Sequence, residues 1–347
     1  MVSLKDIAAA CGVSVATVSK ALNGHKEISG PTTGRILAAA AKLGYMPNSA
    51  ARALKTNRTY NLGVLFVDET HRGLTHEYFS LVLESFKVEA EANGYDITFI
   101  NHNIGNRTAT YLEHCRYRGV DGVVIACVDF FDPQVVELVQ SDIPVVTIDY
   151  TFDNHVSVLS DNICGMRDLV TYVASMGHRR IAFIHGEKTS VTTNRLTSFY
   201  RTALELGLKI PDEYVCEASY HNPQKTAACT RALLALPQPP TCILFPDDFS
   251  YIGGMNVLQE AGLRVPQDIS VAGYDGIYLS QVLSPRLTTL QQDTAALGRM
   301  AAQQLIDLIE RPKTTLPGST VVPGRLLKGA TVQRIGKSFI CCTNIDF

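Results

Sequence analysis

Two short helix-forming runs separated by a glycine, all within the first 23 residues, constrain this chain most. Ser3 and Asp6 have the spacing of a capping box, and Leu4, Ile7, Ala8 and Cys11 then fall on one helical face. Gly12 stops that helix and Ser14 can cap the next. In this register Val18 and Leu22 pack inward, while Ala16, Thr17, Lys20 and Asn23 point outward. Residues 29–43 predict a third helix, with Pro31 in its first turn and Gly44 at its stop. Three short helices around one small apolar centre make a minimal bundle. The polar stripe of the second helix has the form of a unit that enters a DNA major groove.

Charge supports this reading. Up to Arg58, eight basic residues oppose two acidic ones, a net of +6, while the rest of the chain carries −8. A basic head on a larger acidic body suggests that the head meets a polyanion. Between head and body, residues 48–59 contain a run with a cap at Asn48. It spans about two turns, too short to hold as a helix in isolation.

From residue 61 the pattern changes to apolar strands alternating with helices. Strands are predicted at 62–67, 96–100, 122–126, 145–148, 181–185, 241–245 and 269–273. Helices are predicted between them at 77–92, 133–140, 165–176, 198–206 and 250–261. Buried strands spaced by helices predict parallel sheets with right-handed crossovers. The length of the region predicts two lobes. Residues 156–159 read as a crossover, and a helix at 294–309 with short strands after it returns to the first lobe. The domain reading is therefore a helix-turn-helix head at 1–47, a hinge at 48–60, a two-lobed body at 61–335 and a tail at 336–347.

The nine cysteines lack CxxC spacing, and Cys341 and Cys342 are adjacent, which reads as free thiols in a reduced, cytoplasmic protein. Lys5 and Asp6 interrupt any leader-like apolar run, and no stretch approaches the roughly 18 apolar residues of a membrane span. The nine histidines show no metal spacing; His178, after a helix end at Gly177, reads as structural.

The chain resembles the LacI/GalR family of bacterial transcription regulators. The head carries the resemblance in Lys5-Asp6-Ile7-Ala8, Gly12-Val13-Ser14, Ala16-Thr17-Val18-Ser19, Leu22-Asn23, Leu43-Gly44-Tyr45, Pro47-Asn48 and Ala51-Arg52-Ala53-Leu54. The body carries it more loosely in Asp121-Gly122, Ile143-Pro144-Val145-Val146, Gly177-His178, Arg195, Asp247-Asp248 and Val271-Ala272-Gly273-Tyr274-Asp275. The implied fold is an all-α helix-turn-helix head plus an α/β body of two doubly wound parallel sheets, like periplasmic binding proteins. Two departures stand out. Thr33 replaces the usual arginine of the third helix, with Gly34 beside it. Gly276 follows Asp275 where another polar residue is common.

The resemblance implies that a homodimer binds a palindromic double-stranded operator and is controlled by a small effector, a sugar or sugar derivative. Val15, Ala16 and Lys20 take the specificity positions: two small apolar side chains suit thymine methyls, and Lys20 suits guanine. Thr17, Ser19 and Asn23 suit phosphates. Val15 and Ala16 also admit a reading as packed core. In the hinge, Ala51 and Leu54 are implied to meet the minor groove, with Leu54 wedged into a base step; alternatively, Leu54 packs the linker on the body.

Ligands of open α/β sheets bind beyond the carboxyl ends of the strands. Asp68, Asp149, Asp247-Asp248 and Asp275 follow predicted strands there, and carboxylates accept from sugar hydroxyls. Arg195 suits hydroxyl or ring oxygens, or a phosphate. Phe79 and Tyr220 match positions where the family stacks an aromatic on the ligand; Phe79 reads equally as core. The effector set is thus Arg195, Asp275, Asp248, Phe79, Tyr220 and Asp149. No cofactor or metal is implied. The alternatives are a ligand-dependent activator, a repressor that needs a corepressor of another class, and a sugar-acting enzyme on the same fold. For the enzyme, no GxSxG, Walker A, GxGxxG or zinc motif is found.

Overall fold

The computed structural model describes residues 2–25, 27–46, 58–68 and 73–336. The chain divides into two compact units, Met1–Thr59 and Tyr60–Phe347.

The first unit holds α1 (Leu4–Cys11), α2 (Val15–Leu22) and α3 (Gly30–Leu43). The Asp6 carboxylate accepts from both the backbone N–H and the hydroxyl of Ser3, each at 2.8 Å. Gly12, at φ 62°, ends α1 in the left-handed region that glycine enters at little cost. Ser14 Oγ accepts from the Thr17 N–H at 3.0 Å and starts α2. Each helix contributes one fully buried side chain to the centre: Ile7, Val18 and Ile36. Gly34 is exposed on α3 with open space around it, so its cost is the intrinsic helix penalty of about 1 kcal/mol.

The second unit contains two six-stranded sheets. Its helices are α4 (Glu77–Ala92), α5 (Tyr111–Arg118), α6 (Pro133–Val139), α7 (Asn162–Ser175), α8 (Ser190–Glu205), α9 (Pro223–Leu234), α10 (Tyr251–Glu260), α11 (Tyr278–Val282) and α12 (Thr294–Glu310). The first sheet contains β1 (Asn61–Phe66), β2 (Asp96–Phe99), β5 (Gly122–Ala126), β6 (Val145–Ile148), β7 (Val156–Ser160) and β13 (Gly318–Val322), in the order β13-β7-β6-β5-β1-β2. All its pairings are parallel; Val64, for example, faces Phe99 on one side and Val124 on the other. The second sheet contains β8 (Ile181–His185), β9 (Val215–Glu217), β10 (Cys242–Leu244), β11 (Ser270–Asp275), β12 (Thr288–Gln291) and β14 (Arg325–Leu327), in the order β14-β12-β11-β10-β8-β9. Only β14 runs antiparallel, at the edge. A small hairpin of β3 (Asn103–Ile104) and β4 (Arg107–Thr108) stands apart.

The apolar pattern explains the layers. Strands such as β5 are buried along their whole length, as a parallel sheet covered on both faces requires. On the first sheet, Val82 and Phe86 of α4 pack with Leu297, Ala301 and Leu305 of α12 over Leu62, Val64 and Val124. The two helices approach closely at Gly298, where a Cβ would lie 2.1 Å from the Val82 carbonyl oxygen. The chain passes between the lobes three times: after β7, after β12 and between β13 and β14.

Several expectations shift. Residues 156–159 are a strand of the first sheet, and the crossover follows at Asp161, which caps α7. The helix predicted at 198–206 begins at Ser190. Its first turns are rich in Ser, Thr and Val, poor helix formers by propensity, but the Thr189 side chain caps them and burial of Thr192 and Arg195 holds them. The short strands β9 and β12 carry too little apolar pattern to be read from sequence. The hinge segment 47–57 and the tail from 337 lie outside the described residues.

Candidate functional site

The carboxyl ends of strands from both sheets converge on one cleft, a cavity of about 410 Å³. Val67 and Asp68 follow β1, Cys127 to Phe131 follow β5, and Asp149 and Tyr150 follow β6. From the second lobe come Glu187 to Val191 after β8, Tyr220 and His221 after β9, Asp247 after β10 and Asp275 at the end of β11. Gln292, at a crossover, lies between. Four non-glycine residues of this lining, Cys127, Asp149, His221 and Asp275, have positive φ (54°, 60°, 54° and 99°). Such backbone is costly and clusters where a fold positions functional groups.

Arg195 forms the floor. It is fully enclosed; Nε donates to Asn162 Oδ1 at 2.7 Å and Nη1 to the Pro246 carbonyl at 2.9 Å. Its guanidinium lies 3.5 Å above the Tyr274 ring and 5.5 Å from that of Tyr220. Asp275 Oδ1 accepts from Gln292 Nε2 at 2.7 Å. Burial pushes the Asp275 carboxyl up to about 7, outweighing the neighbouring arginine cation. Asp149 accepts from the Ser160 N–H at 2.8 Å and the Tyr78 hydroxyl at 3.1 Å, and burial raises it too.

The lobes are joined across the cleft. Ser190 Oγ donates to the Asp149 carbonyl at 2.9 Å. His76 of the first lobe stacks on His221 of the second, with ring centres 4.1 Å apart, and His221 stacks on Phe249 at 4.0 Å. The walls are aromatic: Phe130 lies flat on Tyr150 at 4.3 Å, with Phe131 exposed beside them at the rim.

In the head, Val15, Ala16, Lys20 and Asn23 are exposed on α2, and Thr17 and Ser19 are half-buried. Lys20 is ion-paired with Glu27 on the surface. The Asn23 side-chain amide turns back to the Ser19 carbonyl. Val18 and Ala21 fill the opposite face.

Residues 3–48 match the family model described as bacterial regulatory proteins, lacI family, and residues 170–332 match the periplasmic binding protein-like domain. The chain is 31% identical over 314 residues to the HTH-type transcriptional repressor PurR of Pasteurella multocida (strain Pm70), covering 89% of this chain and 92% of that one. It superposes on the lac repressor dimer bound to operator and the anti-inducer ONPF with a TM-score of 0.78 at 26% identity, over 96% of this chain and 99% of that one. It likewise matches the transcriptional regulator CelR–cellobiose complex with a TM-score of 0.69 at 25% identity, over 95% of this chain and 100% of that one.

The chain belongs to the lacI family. It is a DNA-binding transcriptional repressor governed by a small-molecule effector.

Within this family member the structure brings Arg195, Asp275, Asp149, Tyr220 and Phe79 to the cleft. Phe79 serves both readings, since it also packs on Phe66 and the first-lobe core. Asp248 is the exception. It is wholly buried behind the lining; Thr289 Oγ1 donates to it at 2.7 Å and the Ile277 N–H at 3.1 Å. A Cβ on Gly273 would lie 2.1 Å from its Oδ1, so the strand makes room for that carboxylate. Its neighbour Asp247 reaches the cleft instead. Adjacent acidic residues leave the inward one undecided in sequence.

The departure at Gly276 has a structural cause. Its φ is 67°, and a Cβ there would come within 2.4 Å of Gln291. Sequence reasoning missed Gln292, His221 and the Phe130–Tyr150 wall. Each lies one to four residues past a strand end, and predicted strand ends are located only to within a few residues. Ala51 and Leu54 lie outside the described residues.

Proposed function

We propose that the cleft takes a neutral carbohydrate and that its occupancy sets the affinity of a dimer for a palindromic operator. The balance of charge carries this reading. Six carboxylates (Asp68, Asp129, Asp149, Glu187, Asp247 and Asp275) line the cavity against two cations, Lys188 and Arg195. A phosphorylated or carboxylated ligand meets net repulsion there, whereas sugar hydroxyls find acceptors. Arg195 Nη2 and Asp275 Oδ1 are 3.9 Å apart, too long for a hydrogen bond. One ligand hydroxyl fits both, accepting from the arginine and donating to the carboxylate. The Tyr220 ring and the Phe130–Tyr150 wall supply apolar surface for the C–H faces of a sugar ring. The cellobiose held by the structural relative is a ligand of this kind.

On the DNA side, Val15, Ala16 and Lys20 read bases, and Thr17, Ser19 and Asn23 hold phosphates. Ala51 and Leu54 act in the minor groove, with Leu54 wedged between base pairs. The protein works in the cytoplasm, where its operator is, and catalyses no reaction on its ligand. Calorimetric titration with a panel of neutral monosaccharides, disaccharides and their phosphates tests the ligand class, with operator affinity read by fluorescence anisotropy in parallel. The expected outcome is saturable binding of a neutral sugar that changes operator affinity. Binding confined to the phosphorylated members overturns the reading.

A further inference from the structure

Two cysteines meet away from the cleft floor, on the edge strand of the second sheet and the helix that follows it. Cys216 lies on β9 and Cys229 on α9. Both are partly buried, carry free thiols and pack against the same apolar cluster. Cys229 Sγ donates to the carbonyl of Glu217, the residue next to Cys216, at 3.4 Å, and Cys216 Sγ contacts the Glu213 carbonyl at 3.7 Å. The two thiols are also near enough to shift one another's titration in opposite directions. Between them in the chain lie Tyr220 and His221, which form part of the cleft wall. The Tyr220 ring rests on Gly186, where a Cβ would lie 2.3 Å from it, and its hydroxyl meets Thr192 Oγ1 at 2.9 Å.

We propose that Cys216 and Cys229 are a peroxide-oxidised pair that closes a reversible disulfide, and that this cross-link stiffens the segment carrying Tyr220 and His221. The coupling to ligand binding rests on the effector reading above; the disulfide itself does not. In the first step one thiolate attacks the peroxide O–O bond, giving a sulfenic acid and, after protonation, water. In the second step the other sulfur displaces hydroxide from the sulfenic acid; the S–S bond forms and a second water leaves with the released proton. Two thiols lose two electrons and one peroxide gains them.

Cys229 is the attacking group. The neighbouring Cys216 side chain lowers its thiol to about 7, and Cys229 in turn raises that of Cys216. Burial pushes Cys115 up to about 12 and also raises the thiol of Cys242, so these two are poor competitors.

The test treats the full-length protein with a modest excess of hydrogen peroxide and maps it by tryptic mass spectrometry. The expected product joins peptide 210–225 to peptide 226–231 with loss of two hydrogens, and dithiothreitol reverses it. Cys216→Ser should leave a sulfenic acid on Cys229 that dimedone traps, and Cys229→Ser should remove both products. Recovery of both cysteines as alkylatable thiols after peroxide overturns the disulfide. Hydrogen exchange needs no ligand and reads the second half. Amides of residues 217–222 should exchange several-fold more slowly in the oxidised protein; unchanged exchange overturns the coupling and leaves the sugar-binding reading standing.

Discussion

Arg195 and Asp275 hold their charged ends 3.9 Å apart at the bottom of the cleft, the arginine buried and the aspartate largely so. The arginine is fixed by Asn162 and the Pro246 carbonyl, and the aspartate by Gln292. The gap between them is therefore held by fixed partners on both sides, and on the proposed reading a ligand hydroxyl would bridge it.

Arg195→Ala should abolish the effector response and lower stability. Removing one partner of a buried charge pair costs about 3–5 kcal/mol. The cost here depends on pH. The Asp275 carboxyl already sits near 7, and losing the cation raises it further. A protonated Asp275 needs no counter-charge, so the variant should lose least below neutrality and more as pH rises. Urea unfolding of both proteins between pH 5 and pH 8 measures this; a difference independent of pH counts against it.

Asp248→Ala separates support from contact. The residue receives hydrogen bonds from Thr289 and the Ile277 N–H behind the cleft. Leaving those donors buried without an acceptor should cost about 1–3 kcal/mol. Effector affinity should stay within about twofold, because the lining is intact. Thermal unfolding paired with calorimetry decides, and a large affinity loss in a stably folded variant restores Asp248 as a ligand contact.

Glu27→Gln should strengthen operator binding. In the free protein Lys20 is paired with Glu27 on the surface of the head. That pair is exposed and adds little stability. It does occupy the cation expected at a base edge and adds a negative charge near phosphates. Freed of it, Lys20 should raise operator affinity roughly three- to tenfold and steepen its salt dependence. Anisotropy titrations at several salt concentrations check both; weaker binding by the variant would show that Glu27 orients Lys20 for its base.

His178 should make the body sensitive to acid. Its ring bridges Thr241 Oγ1 at 2.9 Å and the Gln333 carbonyl at 3.1 Å, and burial lowers its pKa to about 4. The unfolded chain binds a proton near 6.5, which the folded chain resists. This contribution is therefore complete above pH 6.5 and is lost as pH falls towards 4. His178→Gln should flatten the fall of the urea midpoint across that window. His76, lowered to about 4 by burial in the same way, accounts for part of what remains.

The head was legible from local signals. Capping residues, helix-stopping glycines and the apolar spacing of Leu4, Ile7, Ala8 and Cys11 act over a few residues, so the linear order already contains them. The alternation of strands and helices in the body was equally legible, because a parallel sheet covered on both faces requires continuous apolar runs. The family resemblance pointed to Arg195, Asp275 and Tyr220, and position after a predicted strand pointed to Asp149. The chain order does not reveal which of two adjacent aspartates enters the cleft. Asp247 and Asp248 differ only in the direction in which the turn after β10 sends them, and the room beside Gly273 draws Asp248 inward. The stacking of His76 on His221 and the meeting of Cys216 with Cys229 arise the same way. They join segments whose separation is set by sheet order and crossovers, and those non-local distances come into being only when the lobes pack.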